Sequence, residues 1–131
     1  MNKISKSTLA EVGESLAANY LVGIGYNIVA RNYHSAYGEI DIVAKHNNEL
    51  AIVEVKTRSS HSIKSAENSI TTAKQKKITH TTLHFLASNP QYSKLSCRFD
   101  VVLVFHYKAD DTYKVIHYPN AFYPVCHSSE Y

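Results

Sequence analysis

The stretch GEIDIVAKHNNELAIVEVKTR, residues 38–58, decides the fold. Two runs rich in Ile and Val, 39–45 and 49–56, flank Asn47-Asn48. Asn tolerates positive φ, so the pair predicts a two-residue type I′ turn between two antiparallel strands. Symmetry about that turn sets Lys45 opposite Leu50, Val43 opposite Ile52, Asp41 opposite Glu54 and Glu39 opposite Lys56. Ile40, Ile42 and Ala44 then share an apolar face with Ala51, Val53 and Val55. The other face is apolar near the turn, with Val43, Leu50 and Ile52, and becomes polar at Asp41, Glu54, Glu39 and Lys56.

Two opposed carboxylates inside core strands repel, and burial raises a carboxyl pKa unless a cation lies close by. A divalent cation resolves the conflict, and hard oxygen donors suit Mg²⁺ or Mn²⁺. Lys56, two residues beyond Glu54, projects an ammonium from the same face about 7 Å further along the strand. It can reach a phosphate oxygen or an attacking water. These are the parts of a metal-assisted phosphodiester hydrolysis: a metal to polarise the phosphoryl group and activate water, and a cation to neutralise developing charge. The competing reading is a surface ion network of the two acids with Lys45, Lys56 and Arg58, since Asp…Glu-x-Lys alone is a common pattern.

Outward from the hairpin, Thr8-x-x-Glu11 can form a capping box. Leu9, Val12, Leu16, Tyr20 and Ile24 recur at helical spacing, with Gly25 as the stop. Gly13 weakens that helix unless a close approach requires it. Glu14 lies at the edge of the apolar stripe. Residues 26–33 read as a first strand, 98–107 and 112–118 as a fourth and fifth, with turn chemistry at 108–111. A serine-rich loop over 57–69 precedes a helix from Ile70 to Ala87, which Ser88-Asn89-Pro90 ends. Helix, three strands, helix, two strands predict an α/β layer structure with a mixed sheet. The first three strands are antiparallel neighbours and the second helix crosses over to the fourth. A chain of 131 residues is long enough for one core, expected over about 8–122, with 123–131 as a tail.

No apolar run approaches the roughly 20 residues of a membrane span. The first residues carry Lys3 and Lys6 without an apolar block behind them, so no secretory signal is expected. Cys97 and Cys126 share no metal-site spacing and read as reduced thiols of a cytoplasmic protein. The net charge of +3 is unevenly spread. Residues 56–77 hold six basic side chains (Lys56, Arg58, Lys64, Lys74, Lys76, Lys77) and one acid, Glu67, a balance of +5 against −2 for the other 109 residues. Such a field suits a polyanion such as nucleic acid, or else is a solvated loop and helix face.

GESLAANYL, GYNIVARN, GEIDIVA, VEVKTR, ITTAKQKKI and RFDVV occur in the order and spacing of the bacterial YraN family. The likeness runs from about Thr8 to Phe122. That family resembles archaeal Holliday junction resolvases within the PD-(D/E)XK nuclease superfamily. The resemblance implies a restriction-endonuclease-like core, a central mixed β-sheet flanked by helices with the nuclease site at one end of the strands. It implies that Asp41 is the metal-binding Asp, that Glu54 and Lys56 are the (D/E)-x-K pair, and that Glu14 is the acid contributed by the first helix. Glu39, Gln75 and Lys74 fall in family blocks and border the site. The partner implied is structured or branched DNA, and junction resolvases act as dimers, although no interface is legible. The stretch after Asn32, the serine-rich loop, and Thr81 and Thr82 depart from the family's pattern. Two function classes follow: a Mg²⁺- or Mn²⁺-dependent endonuclease, and a nucleic-acid-binding module that keeps the fold without turnover.

His80-x-x-x-His84 has the helical spacing of a zinc pair but lacks a third ligand, and reads as an exposed pair. Asp100 on the fourth strand is expected to pair with Arg98 or Arg31.

Overall fold

Strands with Ile and Val on both faces need both faces covered, and helices do that in α/β folds. The computed structural model describes residues 6–59 and 70–122. Helix α1 (Lys6–Gly23) is followed by strands β1 (Asn27–Ser35), β2 (Gly38–His46) and β3 (Glu49–Arg58). Helix α2 (Thr72–Ser88), a 3₁₀ turn at Pro90–Tyr92, and strands β4 (Ser96–Tyr107) and β5 (Thr112–Phe122) complete the order. The strands form one mixed sheet, β1-β2-β3-β4-β5. Only the β3–β4 pair is parallel, and α2 lies in the crossover between them. The fold is therefore α/β with a central mixed sheet, as the element order predicts.

The hairpin register is the expected one from His46↔Glu49 to Ile42↔Val53. The turn differs: Asn47 has φ 54°, whereas Asn48 is not left-handed, so the turn holds one such residue instead of the two of a type I′ turn. Ala17, Ala18 and Leu21 of α1 cover one face with Ile42, Ala44, Ala51, Val53, Val102 and Val104. Ile78 and Phe85 of α2 cover the other with Ile40, Val43, Leu50, Ile52 and Phe99. Ile40 is thus on the opposite face from the one expected. The alternation of β2 slips by one between Ile40 and Ile42, at Asp41. Asn32, which lies between the β1–β2 pairs Arg31↔Ile42 and Tyr33↔Ile40, has φ 53°. A left-handed residue reverses which side the following residues face. Arg31 accordingly reaches α1, while Tyr33 packs against Phe85 of α2.

Helix α1 meets the sheet closely through small residues, with Leu16 and Tyr20 of the expected stripe packed at their side. Its buried residues are small, Gly13, Ala17 and Ala18, together with Leu21, whereas Ile24 is exposed. A Cβ at Gly13 would lie 2.0 Å from Thr57 Oγ1 and 2.8 Å from Thr57 Cγ2. That glycine is the close approach its sequence position suggested. The helix is already formed at Lys6, so Thr8 stands inside it and does not cap it. Helix α2 starts at Thr72, later than Ile70, because Thr71 is its N-cap and accepts the Lys74 N–H at 3.2 Å. Strand β5 outruns the expected 112–118 by pairing again after a bulge opposite Asp100.

Asp100 is completely buried and fully partnered. Arg98 Nε donates to its Oδ1 at 3.0 Å, His117 Nε2 lies 2.8 Å from its Oδ2, and the Asn120 N–H donates to Oδ1 at 3.0 Å. Burial alone would raise its pKa. The hydrogen bonds from His117, Arg98 and Asn120 overcome that and hold it below the ordinary carboxylate range. Arg31 plays no part in this network.

Gly13→Ala should destabilise the fold by about 1–3 kcal/mol through overpacking against Thr57, read from urea denaturation midpoints. Adding Thr57→Ala removes the two nearest atoms and should recover part of that loss. A fully additive double variant would place the close contact elsewhere.

Candidate functional site

The β2–β3 ladder ends at Ile42↔Val53. One residue further, the Asp41 side chain takes over, its Oδ2 accepting the Val55 N–H at 2.8 Å. The expected juxtaposition of Asp41 and Glu54 therefore arises at the point where the ladder ends, with a carboxylate doing the work of a strand carbonyl. Burial, the adjacent Glu54 carboxylate and, less strongly, Glu14 raise the Asp41 pKa to about 7, against the opposing effect of the Val55 hydrogen bond.

Glu54 faces α2 and is 8 % exposed. Its Oε1 receives Lys74 Nζ at 2.9 Å and Lys56 Nζ at 3.4 Å. Burial lowers the Lys56 pKa, and the neighbouring Lys74 lowers it further. For Lys74, burial acts downward too, but hydrogen bonds to Lys56 and Glu54 and the fields of Glu54 and Asp41 carry the net shift upward. Of two ammonium groups on one carboxylate oxygen, Lys74 holds its proton the more firmly. Asp41 has no such ion-pair partner among the described residues.

Glu14 comes from the turn of α1 that Gly13 seats on β3. Its field reaches Asp41, and its Oε1 lies 3.4 Å from Arg31 Nη2. Asp41, Glu54 and Lys56 thus stand together, with Glu14 at the margin. The donors fit a hard divalent cation in chemistry: adjacent carboxylates, one of them pushed toward its neutral form by burial and then by neighbouring negative charge. Among the described residues no set of three His, Cys, Asp or Glu is arranged to hold a metal ion. Arg31 draws on Glu14, and the two lysines draw on Glu54. Asp41 and Glu54 are the pair that could hold one.

A cleft of about 350 Å³ opens beside Glu54, lined by Gly38, Glu39, Thr71, Ala73, Lys74, Lys77 and Ile78. Glu39 is at its rim but does not face Lys56 as the extended register required. The ladder has ended there, and Glu39 lies 3.3 Å from His34 Nδ1 across β1. Gln75 borders a different cleft with His117 and Tyr118, and its Nε2 donates to Ile70 O at 3.4 Å. Lys76, Lys77 and Arg58 are exposed, and Arg58 donates to its neighbour Thr57 O at 2.8 Å. Lys64, most of the 57–69 loop and Cys126 lie outside the described residues. His80 stacks on Tyr37 and His84 is hydrogen-bonded to Tyr33.

Two roles escaped the sequence reading. Lys74 reads from the residues as part of the basic segment, and only the family resemblance sets it at the border of the site, whereas its ammonium pairs with Glu54 inside the carboxylate cluster. Its spacing from buried Ile78, four residues on, was the available signal, because positions i and i+4 share a helix face. Arg31 as the partner of Glu14 had no signal, since the left-handed Asn32 beside it decides where it points.

A model of the family described as Uncharacterised protein family UPF0102 matches residues 13–104, from Gly13 of α1 into β4. The chain is 47% identical over 91 residues to a UPF0102 protein of Lachnoclostridium phytofermentans, covering 70% of this chain and 77% of the relative. It is 35% identical over 119 residues to one of Desulforamulus reducens, covering 90% and 98%. A relative from Acinetobacter baumannii is 43% identical over 94 residues, covering 72% and 71%. The chain belongs to the UPF0102 family.

The raised Asp41 pKa has a defined consequence for stability. The unfolded carboxyl releases its proton near pH 4 and the folded one near 7, so the folded state binds the extra proton between them. Stability should fall as pH rises through that window and level off above it. Asp41→Asn should remove the slope and gain at most about 4 kcal/mol at pH 8 relative to pH 4. Denaturant titrations across that range check it.

Proposed function

We propose that the protein is a metal-dependent endonuclease that hydrolyses phosphodiester bonds of structured or branched DNA. Its sheet would then be the restriction-endonuclease-like core of a PD-(D/E)XK nuclease, resembling Holliday junction resolvases. The observation that carries this reading is the uncompensated acid. Asp100, the other aspartate within the sheet, is fully partnered and its pKa is lowered. Asp41 is beside another carboxylate and its pKa is raised. Perturbation of that kind concentrates where chemistry is done. The mixed sheet with both faces covered, and the basic residues around the cleft, support the same reading.

In this proposal Asp41 and Glu54 hold Mg²⁺ or Mn²⁺, with Glu14 as the adjacent acid. The bound ion would supply Lewis-acid polarisation of the phosphoryl oxygen and a lowered pKa for water. Lys56, whose pKa is lowered by burial and by Lys74, is suited to accept a proton from the attacking water. Lys74 remains charged and offsets negative charge gathering on the phosphate. Lys77 at the cleft rim, with Lys76 and Arg58 beyond it, would meet the flanking phosphates. A cytoplasmic site of action and a homodimer belong to the same proposal.

One observation favours the second reading, a nucleic-acid-binding module without turnover. Glu54 and Glu14 are already neutralised by Lys74, Lys56 and Arg31. The two readings separate in one experiment. Purified protein is incubated with a four-way junction, a flap, a nicked duplex and a linear duplex in Mg²⁺ or Mn²⁺. Cleavage of at least one substrate is expected, and Asp41→Asn or Glu54→Gln should reduce it by roughly 100-fold or more. Calorimetry provides a second readout: Mn²⁺ binding should be lost in Asp41→Ala. Tight DNA binding with no cleavage of any substrate would select the binding module.

A further inference from the structure

The tip of the β1–β2 hairpin carries an aromatic group that neither the core nor the carboxylate cluster uses. Tyr37 is 55 % exposed, yet it is firmly mounted. Its backbone N–H donates to Ser35 Oγ at 3.1 Å, and Ser35 Oγ donates to Thr81 Oγ1 of α2 at 3.2 Å. Its ring stacks on His80 with centroids 5.2 Å apart and planes 27° apart. The next residue, Gly38, lines the cleft that holds Glu54, Lys74 and Lys77. A Cβ on Gly38 would rest 3.6 Å from Lys77 Cβ, so the tip sits directly on the basic turn of α2. A rigid exposed ring beside lysines, at the mouth of a cleft, combines a stacking surface with cations for a polyanion.

We propose that Tyr37, backed by His80, is a stacking platform for an unpaired nucleotide base, with Lys77 receiving the adjoining phosphate. This rests on the nucleic-acid reading of the cleft and narrows its substrate class. A base in a duplex is already stacked between its neighbours and offers no free face. The strand entering the cleft past Tyr37 is therefore single-stranded, as in a flap, a splayed arm or an open junction. Tyr37 binds this strand and takes no part in hydrolysis.

The test measures binding without turnover. Fluorescence anisotropy in EDTA compares a labelled single-stranded oligonucleotide, a splayed-arm DNA and a blunt duplex of equal length. Tyr37→Ala should weaken binding of the single strand and the splayed arm by about tenfold or more, and leave the duplex within about twofold. Tyr37→Phe, which keeps the ring, should bind as wild type does. Lys77→Ala should weaken all three and flatten the salt dependence. Melting curves of Tyr37→Ala that match wild type exclude a loss of fold as the cause. The proposal is overturned if Tyr37→Ala binds every DNA as wild type does, or loses single strand and duplex equally. Failure of the nuclease reading is distinct: Tyr37-dependent binding with no cleavage in Mn²⁺ leaves the platform standing, and cleavage indifferent to Tyr37 removes it alone.

Discussion

The hydrogen bond from the Val55 N–H to Asp41 Oδ2 marks the place where the sheet changes character. On the turn side of it, β2 and β3 are paired by main chain and their side chains fill two apolar layers. Beyond it, the ladder stops and an acid satisfies the freed donor. A buried backbone N–H left without an acceptor is costly, so some group must take it. A carboxylate that does so is fixed in position. Among the described residues no buried side-chain nitrogen or oxygen lacks a hydrogen-bond partner. The tension at Asp41 is therefore one of charge, and charge is what a cation or a proton can answer.

Two aspartates of this sheet, Asp41 and Asp100, show how differently the same residue type can be treated. Each lies across from a left-handed asparagine of an edge strand, Asn32 in β1 and Asn120 in the bulged part of β5. Around Asp100 the bulge brings in the Asn120 N–H, and Arg98 and His117 complete the shell. Around Asp41 the left-handed Asn32 sends Arg31 to Glu14, and the strongest field on Asp41 is that of a second carboxylate, Glu54. The first arrangement closes a structural network. The second stores a field that favours any incoming positive group, which is why the candidate chemistry is assigned to Asp41 and not to Asp100.

The helices do more than cover the sheet. Small residues let α1 lie close to β3, and the Gly13 contact with Thr57 holds Glu14 near the end where the ladder stops. Helix α2 arrives from the crossover with Thr71 capping its first turn, which turns Lys74 toward Glu54. One acid from α1, one from β2, an acid and a lysine from β3, and a lysine from α2 meet because three layers converge there. No helix among the described residues is long and apolar enough to cross a membrane. Ala17, Ala18 and Leu21 of one helix and Ile78 and Phe85 of the other cover the two faces of the sheet.

The sequence by itself determined the hairpin register, the element order, the mixed sheet and the neighbourhood of Asp41, Glu54 and Lys56. These follow from period-two alternation and from turn residues between adjacent segments, where covalent connection leaves few alternatives. It also marked Gly13, because a glycine inside a helix weakens it against alanine unless a close contact requires it. It misplaced Ile40 and Glu39, since one left-handed residue in a neighbouring strand shifts the alternation and no periodicity within β2 records that. It put Lys74 in a basic run and, through the family resemblance alone, at the border of the site, without its pairing to Glu54. Only the packing of α2 against β3, across a connection of more than ten residues, decides which lysine of that run turns inward. Ion pairs of this kind depend on distances between layers, and those are set when the whole sheet and both helices close on one another.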